Sequence, residues 1–413
     1  MADDGPRLGR GVLLVLALTC GVAVSTIYFP QALVPLIARD LAVPPESAAL
    51  VATTAQLGYA AGLFLLVPLG DRVRHRPLLL TLLGLTAAGL LGAAAAPHLP
   101  VLLVLSGLIG VTTVVPQILL PMAAGLVGDD RRGAATGTLL SGLLAGILLA
   151  RTFGGVLGEW LGWRAPYLIA AVLLVVVGAL LARTVPATTP PSRERYPALL
   201  AAVLRLLATE PDLRRSCLNQ ALLFGAFSAA WTSVALLLTG PEFGLDARAV
   251  GLLALVGAGS VLVSPVAGRR ADRGGPGAVN LVCFVGAALA AAVLAVAGLG
   301  GWAGLLALAA GMLLLDVAVQ ASGVANQARI FALRPDVRSR LNTAYTTCGF
   351  LGGAAGSWLG IRAFAGFGWV GVCGLVAVAA LAALGRHLVG ARRGSATAQA
   401  PAARVDRPTC GAQ

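Results

Sequence analysis

Twelve apolar stretches, each close to twenty residues long, run almost without pause from one end of this 413-residue chain to the other. They fall at 11–37, 48–69, 77–96, 100–127, 133–156, 165–184, 216–238, 249–268, 278–299, 302–328, 340–361 and 367–386. About 20 predominantly apolar residues cross a bilayer as a helix. Helices and closed barrels alone satisfy their backbone groups in lipid, and barrel strands are about ten residues long with alternating polarity. The sequence therefore predicts an all-α membrane protein of twelve transmembrane helices. Only 11% of residues are charged, against roughly 25% in soluble domains, which excludes a set of water-soluble domains.

All 30 basic residues are arginines and the net charge is +13. They fall in short groups between apolar runs rather than on one extended basic face, which argues against a nucleic-acid partner. With the N-terminus inside, 25 arginines lie on the inner side and only Arg39, Arg164, Arg248 and Arg362 on the outer side, with Arg151 within a span. Cytoplasmic loops retain such an excess, so a multi-pass protein of the cell membrane with both termini in the cytoplasm is expected. The first run, preceded by Arg7 and Arg10, is too long for the apolar core of a cleaved signal and is read as the first span. Cys20, Cys217, Cys283, Cys348, Cys373 and Cys410 show no metal-type spacing, and free, buried thiols are expected, with no metal and no cofactor.

The longest internal interruption, the connector from Val185 to Leu213, divides the spans six and six. The organisation expected is a cytoplasmic N-terminus over 1–10, a six-helix bundle over 11–184, a cytoplasmic linker over 185–215, a second bundle over 216–386 and a disordered tail over 387–413. Within the linker, Ala198 to Ala208 is apolar but too short to cross, and is expected along the inner membrane surface. Gly70-Asp71-Arg72 follows the second span and Ala271-Asp272-Arg273 follows the eighth, 201 residues later. Two similar halves in the same orientation imply an axis along the membrane normal with a site between them.

These features resemble the major facilitator superfamily, near its bacterial drug and sugar efflux branches. The family's loop signature, approximately G-x-L-A-D-R-x-G-R-R, is matched by Val67-Pro68-Leu69-Gly70-Asp71-Arg72-Val73-Arg74-His75-Arg76, and more weakly by Gly268-Arg269-Arg270-Ala271-Asp272-Arg273. The resemblance implies two pseudo-symmetric six-helix bundles, transport by alternating access, and a cytoplasmic gate built from Asp71, Arg72, Arg76, Asp272 and Arg273. The family's antiporter signature is matched in part by Gly146, Gly154 and Gly155, with Arg151 in place of its proline, and the frequent arginine of the fourth span is missing. Gly142 and Gly146 suit close helix packing.

Two ionisable residues lie clearly inside spans, Arg151 in the fifth and Asp316 in the tenth. Each costs about 2.5–3.5 kcal/mol at a helix centre, which marks a cavity-facing or paired group. At about 1.5 Å per residue their depths differ by roughly 13 Å, so a direct salt bridge is not the first expectation. Asp316, Gln320, Gly323 and Gln327 share one helical face. A carboxyl withdrawn from water there is suited to carry a proton; the competing reading is a hydrogen-bonded aspartate joining two helices. Arg151 either attracts an anionic group or satisfies backbone carbonyls. Tyr28, Gln31, Gln117, Asn219, Gln220 and Trp231, with Gln56 and Tyr59, complete the solute-binding candidates, although such residues also serve only to join helices.

The expected function is secondary transport of a small molecule, outward and coupled to protons. Proton-coupled uptake or facilitated diffusion is the alternative. No GxxxxGK[ST] loop is present for ATP hydrolysis. A polytopic membrane enzyme is disfavoured, because His75, His98 and His387 sit near loops or the tail, with His75 expected in a solvated loop.

Overall fold

The computed structural model describes residues 9–185, 194–334 and 337–398. Helices account for nearly all of them, and no strand occurs among the described residues. Twelve crossings are built from thirteen of the fourteen α-helices, because proline and glycine divide some spans while other helices run through two.

The first crossing is α1 (Arg10–Tyr28) and α2 (Pro30–Asp40), broken where Pro30 supplies no N–H. The second is α3 (Pro45–Leu66), extended by a 3₁₀ turn at Pro68–Asp71, and the third is α4 (His75–Ala94). The fourth is split before Pro116 into α5 (Leu99–Thr112) and α6 (Val115–Gly125). The fifth and sixth are α7 (Asp129–Leu161) and α8 (Arg164–Thr184). The short α9 (Tyr196–Thr209) precedes the seventh crossing, α10 (Pro211–Thr239).

The eighth is composite: α11 (Ala247–Gly257), a 3₁₀ stretch at Ala258–Val263, and the opening of α12 (Ser264–Val296). Gly275, at φ 78°, turns the chain there and the rest of α12 is the ninth crossing. The tenth is α13 (Gly301–Leu333), and α14 (Arg338–Ala398) holds the last two, separated at Gly368 with φ 62°. Both are conformations that glycine adopts without a steric cost. An even number of crossings leaves the first and last helices on one side, here called the termini face.

Without a hydrophobic force between helices in lipid, close approach through small residues holds a bundle together. A Cβ on Gly146 of α7 would stand 2.2 Å from the carbonyl oxygen of Gly21 in α1, and one on Gly142 would stand 2.3 Å from that of Ala17. The second half repeats the device: a Cβ on Gly356 of α14 would stand 2.0 Å from the carbonyl oxygen of Gly225 in α10. Spans one and five thus correspond to spans seven and eleven, the pseudo-symmetry that the repeated Asp-Arg implies.

Three features differ from expectation. The last helix continues past 386 to Ala398, over a segment whose alanines and arginines are good helix formers; residues 399–413, Cys410 among them, lie outside the described residues. His75 is the first residue of α4 and is buried rather than solvated. His387 is also buried, with its ring edge-on to Phe284. In the connector, 186–193 lie outside the described residues, whereas α9 is amphipathic. Its Leu199, Val203 and Leu206 are buried, and Val203 and Leu206 pack with Leu213, Ile330 and Leu341 at the termini-side ends of the second half. Tyr196 ties it to the first half by donating its hydroxyl to the Leu65 carbonyl at 2.6 Å.

Candidate functional site

A cavity of about 330 Å³ lies between the halves, running from mid-depth toward the termini face. Its walls come from α1, α7, α10, α13 and α14, with Ser260 from the 3₁₀ stretch of span eight. Tyr28, Arg151, Gln220, Asp316, Gln320 and Gln327 all line it, so the polar stripe of the tenth span faces the cavity as its spacing implies.

Arg151 is buried, its guanidinium enclosed by aromatic rings: the Cζ atom stands 4.2 Å from the Trp231 ring centroid, 5.0 Å from that of Tyr28 and 5.4 Å from that of Phe227. A desolvated cation over such a face gains about 2 kcal/mol. Its Nε donates to Gln31 Oε1 at 2.8 Å, while Nη2 has no hydrogen-bond partner. Trp231 Nε1 donates to Asp316 Oδ1 at 2.9 Å. Arg151 and Asp316 form no ion pair; one indole is stacked on the first and bonded to the second, which brings the two groups closer than helix rise alone suggests. Asp316 Oδ2 is pressed against span eight, where a Cβ on Gly257 would come within 2.5 Å of it.

Other candidates separate into cavity and scaffold. Gln220 accepts a hydrogen bond from the Tyr345 hydroxyl at 2.7 Å beside the cavity. Gln31 and Trp231 lie behind its lining, acting on it through Arg151 and Asp316. Gln117 is directed to Tyr59, and Asn219 is buried away from the cavity with its Nδ2 unpartnered. Phe227 and Tyr345 were not singled out by the sequence, since an aromatic residue in an apolar helix carries no periodic signal of its own.

The far side of the cavity is closed. Thr53 of α3 and Ser357 of α14 share a hydrogen bond at 2.8 Å, and Ser357 shares a second with Thr232 of α10 at 3.0 Å. Ser228 donates to Gln56 Oε1 at 3.1 Å, and Thr152 of α7 donates to the Gly251 carbonyl of α11 at 2.9 Å. The Thr53–Ser357, Ser228–Gln56 and Thr152–Gly251 bonds link one half to the other, while Thr232 holds Ser357 within the second half.

At the termini face the two copies of the loop motif behave differently. Asp71 is half-buried and within electrostatic reach of Arg340 from the second half, which is ion-paired at 2.8 Å with Glu194 of the connector. Arg76 donates to the Ala182 carbonyl inside its own half, and Arg72 is exposed. Asp272 and Arg273 are exposed, and neither makes an ion pair or a side-chain hydrogen bond among the described residues. The second copy therefore does not mirror the first.

Two helical halves around a central, sparsely charged cavity, closed on one side and extending to the other, define a membrane transport protein. The family model for the Major Facilitator Superfamily matches residues 14–357, and the chain belongs to that family. It is 38% identical to the putative uncharacterized transporter YgaY of Escherichia coli (strain K12), over 90% of this chain and 94% of that one. It is 30% identical to a chloramphenicol resistance protein of Streptomyces lividans, over 63% of this chain and 66% of that one. Among solved structures, the nucleoside transporter NupG superposes with a TM-score of 0.75 at 14% identity, over 91% of this chain and 98% of that one, a likeness of fold.

Proposed function

We propose that this protein exports a small molecule in exchange for protons, by exposing the cavity between its halves alternately to the two sides of the cell membrane. The observation that carries the reading is the Asp316 carboxyl, held by Trp231 at mid-depth on the wall of that cavity and joined through the indole to Arg151. A hydrogen bond to a carboxylate is about twice as strong as one to a neutral acid, so protonation of Asp316 loosens its hold on the indole and on the guanidinium stacked there. A solute that brings an acceptor to the unpartnered Nη2 of Arg151 acts on the same assembly from the other end. Proton and solute thus bias one element in opposite senses, as exchange requires.

The arginine asymmetry supports a cytoplasmic termini face, and a cavity that extends to that face suits the loading of an outgoing solute. The similarity to a protein named for chloramphenicol resistance supports the outward direction. The test is flux in proteoliposomes under an imposed pH gradient, with aromatic drugs beginning with chloramphenicol. Uphill movement that ends when the gradient is dissipated is expected. Asp316→Asn should abolish it while leaving solute-induced thermal stabilisation intact; undiminished uphill movement in that variant would remove Asp316 as the proton carrier.

A further inference from the structure

A second concavity lies on the outside of the bundle, between spans eight, nine and ten. It is a groove of about 510 Å³ with walls of Val266, Val279, Val282, Gly286, Leu314 and Ala318, and with Arg270 and Arg273 at its termini-face end. Val266 and Val282 are 42% and 67% exposed, so the groove opens laterally where lipid surrounds the bundle. Arg270 and Arg273 are exposed and engage no carboxylate among the described residues; the adjoining Asp272 pairs with neither. From the turn at Gly275 to Gly286, the ninth span rises roughly 16 Å, which matches the half-thickness of a bilayer core about 30 Å across.

We propose that this groove is a binding site for one anionic glycerophospholipid, its phosphate against Arg270 and Arg273 and one acyl chain laid along the groove toward mid-membrane. An apolar channel one leaflet deep, capped by two unpaired guanidinium groups at headgroup level, is complementary to that molecule at both ends. A soluble anion gains nothing from the apolar walls, and a zwitterionic lipid offsets the attraction of its phosphate with its own cation. Basic clusters between helices at this depth are suited to anionic headgroups. The site also gives a use to the second Asp-Arg copy, whose arginines do not reach the opposite half.

The test is native mass spectrometry of the full chain released from nanodiscs containing equal phosphatidylglycerol and phosphatidylcholine. The parent protein should retain one phosphatidylglycerol in preference to phosphatidylcholine. The double variant Arg270→Gln/Arg273→Gln should reduce retention at least tenfold. Gly286→Leu should do the same by filling the groove, since a Cβ there meets nothing closer than Ala318 Cβ at 3.9 Å. Arg269→Gln, an exposed arginine of the same turn outside the groove, should have no effect. Equal loss in Arg269→Gln would show only diffuse charge attraction, retention in Gly286→Leu would show that no acyl chain occupies the groove, and displacement by glycerol phosphate would show headgroup binding alone. Each of these overturns the proposal.

Discussion

The guanidinium of Arg151 and the carboxyl of Asp316 meet different parts of one side chain: the first stacks 4.2 Å from the Trp231 ring centroid, and the second accepts a hydrogen bond from the indole N–H at 2.9 Å. Neither charge is neutralised by direct contact, and a change at either one reaches the other through a rigid ring.

Trp231→Phe keeps an aromatic face for Arg151 but removes the donor to Asp316. A hydrogen bond to a charged group contributes about 1.5–3 kcal/mol. Proton-driven accumulation should therefore fall tenfold or more, while gradient-independent solute exchange falls much less. Parallel measurement of the two fluxes checks this, and an equal loss in both would assign Trp231 to solute binding alone.

Arg151→Lys retains a positive charge but loses the planar group that stacks on Trp231 and the Nε bond to Gln31. Lysine does not replace arginine where the fork and the stacking are both used. Solute affinity, read by thermal stabilisation, should drop at least tenfold, and wild-type affinity in this variant would reduce the role of Arg151 to charge.

Gly257→Ala places a methyl group 2.5 Å from Asp316 Oδ2. Overpacking of this kind costs about 1–3 kcal/mol, so both transport and thermal stability in detergent should decline. Gly259→Ala is the control, because a Cβ there meets only Leu313 Cδ1 at 3.5 Å; a similar decline in both variants would point to general helix disruption.

Asp71→Asn should slow solute exchange several-fold while leaving solute binding unchanged, because its carboxylate lies within electrostatic reach of Arg340 of the opposite half. Asp272→Asn should leave exchange near wild-type, since that side chain is exposed and unpaired among the described residues. Equal effects at the two positions would restore the symmetric gate that the repeated motif implies.

Asp40, at the end of the first crossing, accepts from Trp163 Nε1 at 2.9 Å and pairs with Arg164, and these partners hold its carboxyl below the usual carboxylate range. A depressed folded-state value means that the contribution is complete above the unfolded aspartate value and is lost as pH falls through the folded one. The pair is exposed and therefore contributes little. Asp40→Asn should flatten the acid limb of thermal stability below about pH 4 and leave neutral pH unaffected. A change confined to neutral pH would contradict the assignment.

The fold was legible because lipid imposes one rule on every span, a rule that composition and length express directly. The eighth span was least legible in its construction: α11 is only 11 residues long, and 3₁₀ turns follow it before α12 resumes. The polar face of α13 could be read from spacing alone, since Asp316, Gln320 and Gln327 share one side of a regular helix. The linkage of Arg151 to Asp316 could not. Rise per residue locates backbones at different depths, whereas the linkage depends on a side chain from a third helix, and nothing local to Trp231 announces that role. Asp272 shows the opposite limit, in that a motif repeats while its surroundings do not.

Thr53 and Ser357 join the halves on the far side through uncharged hydroxyls, with Thr232 of the second half bonded to the same Ser357 oxygen. Each such bond contributes only about 1 kcal/mol net, because water offers an equivalent partner when it parts. That seam can unzip and reseal without carrying an ion across the electric field of the membrane, so its opening should be nearly indifferent to voltage and to ionic strength.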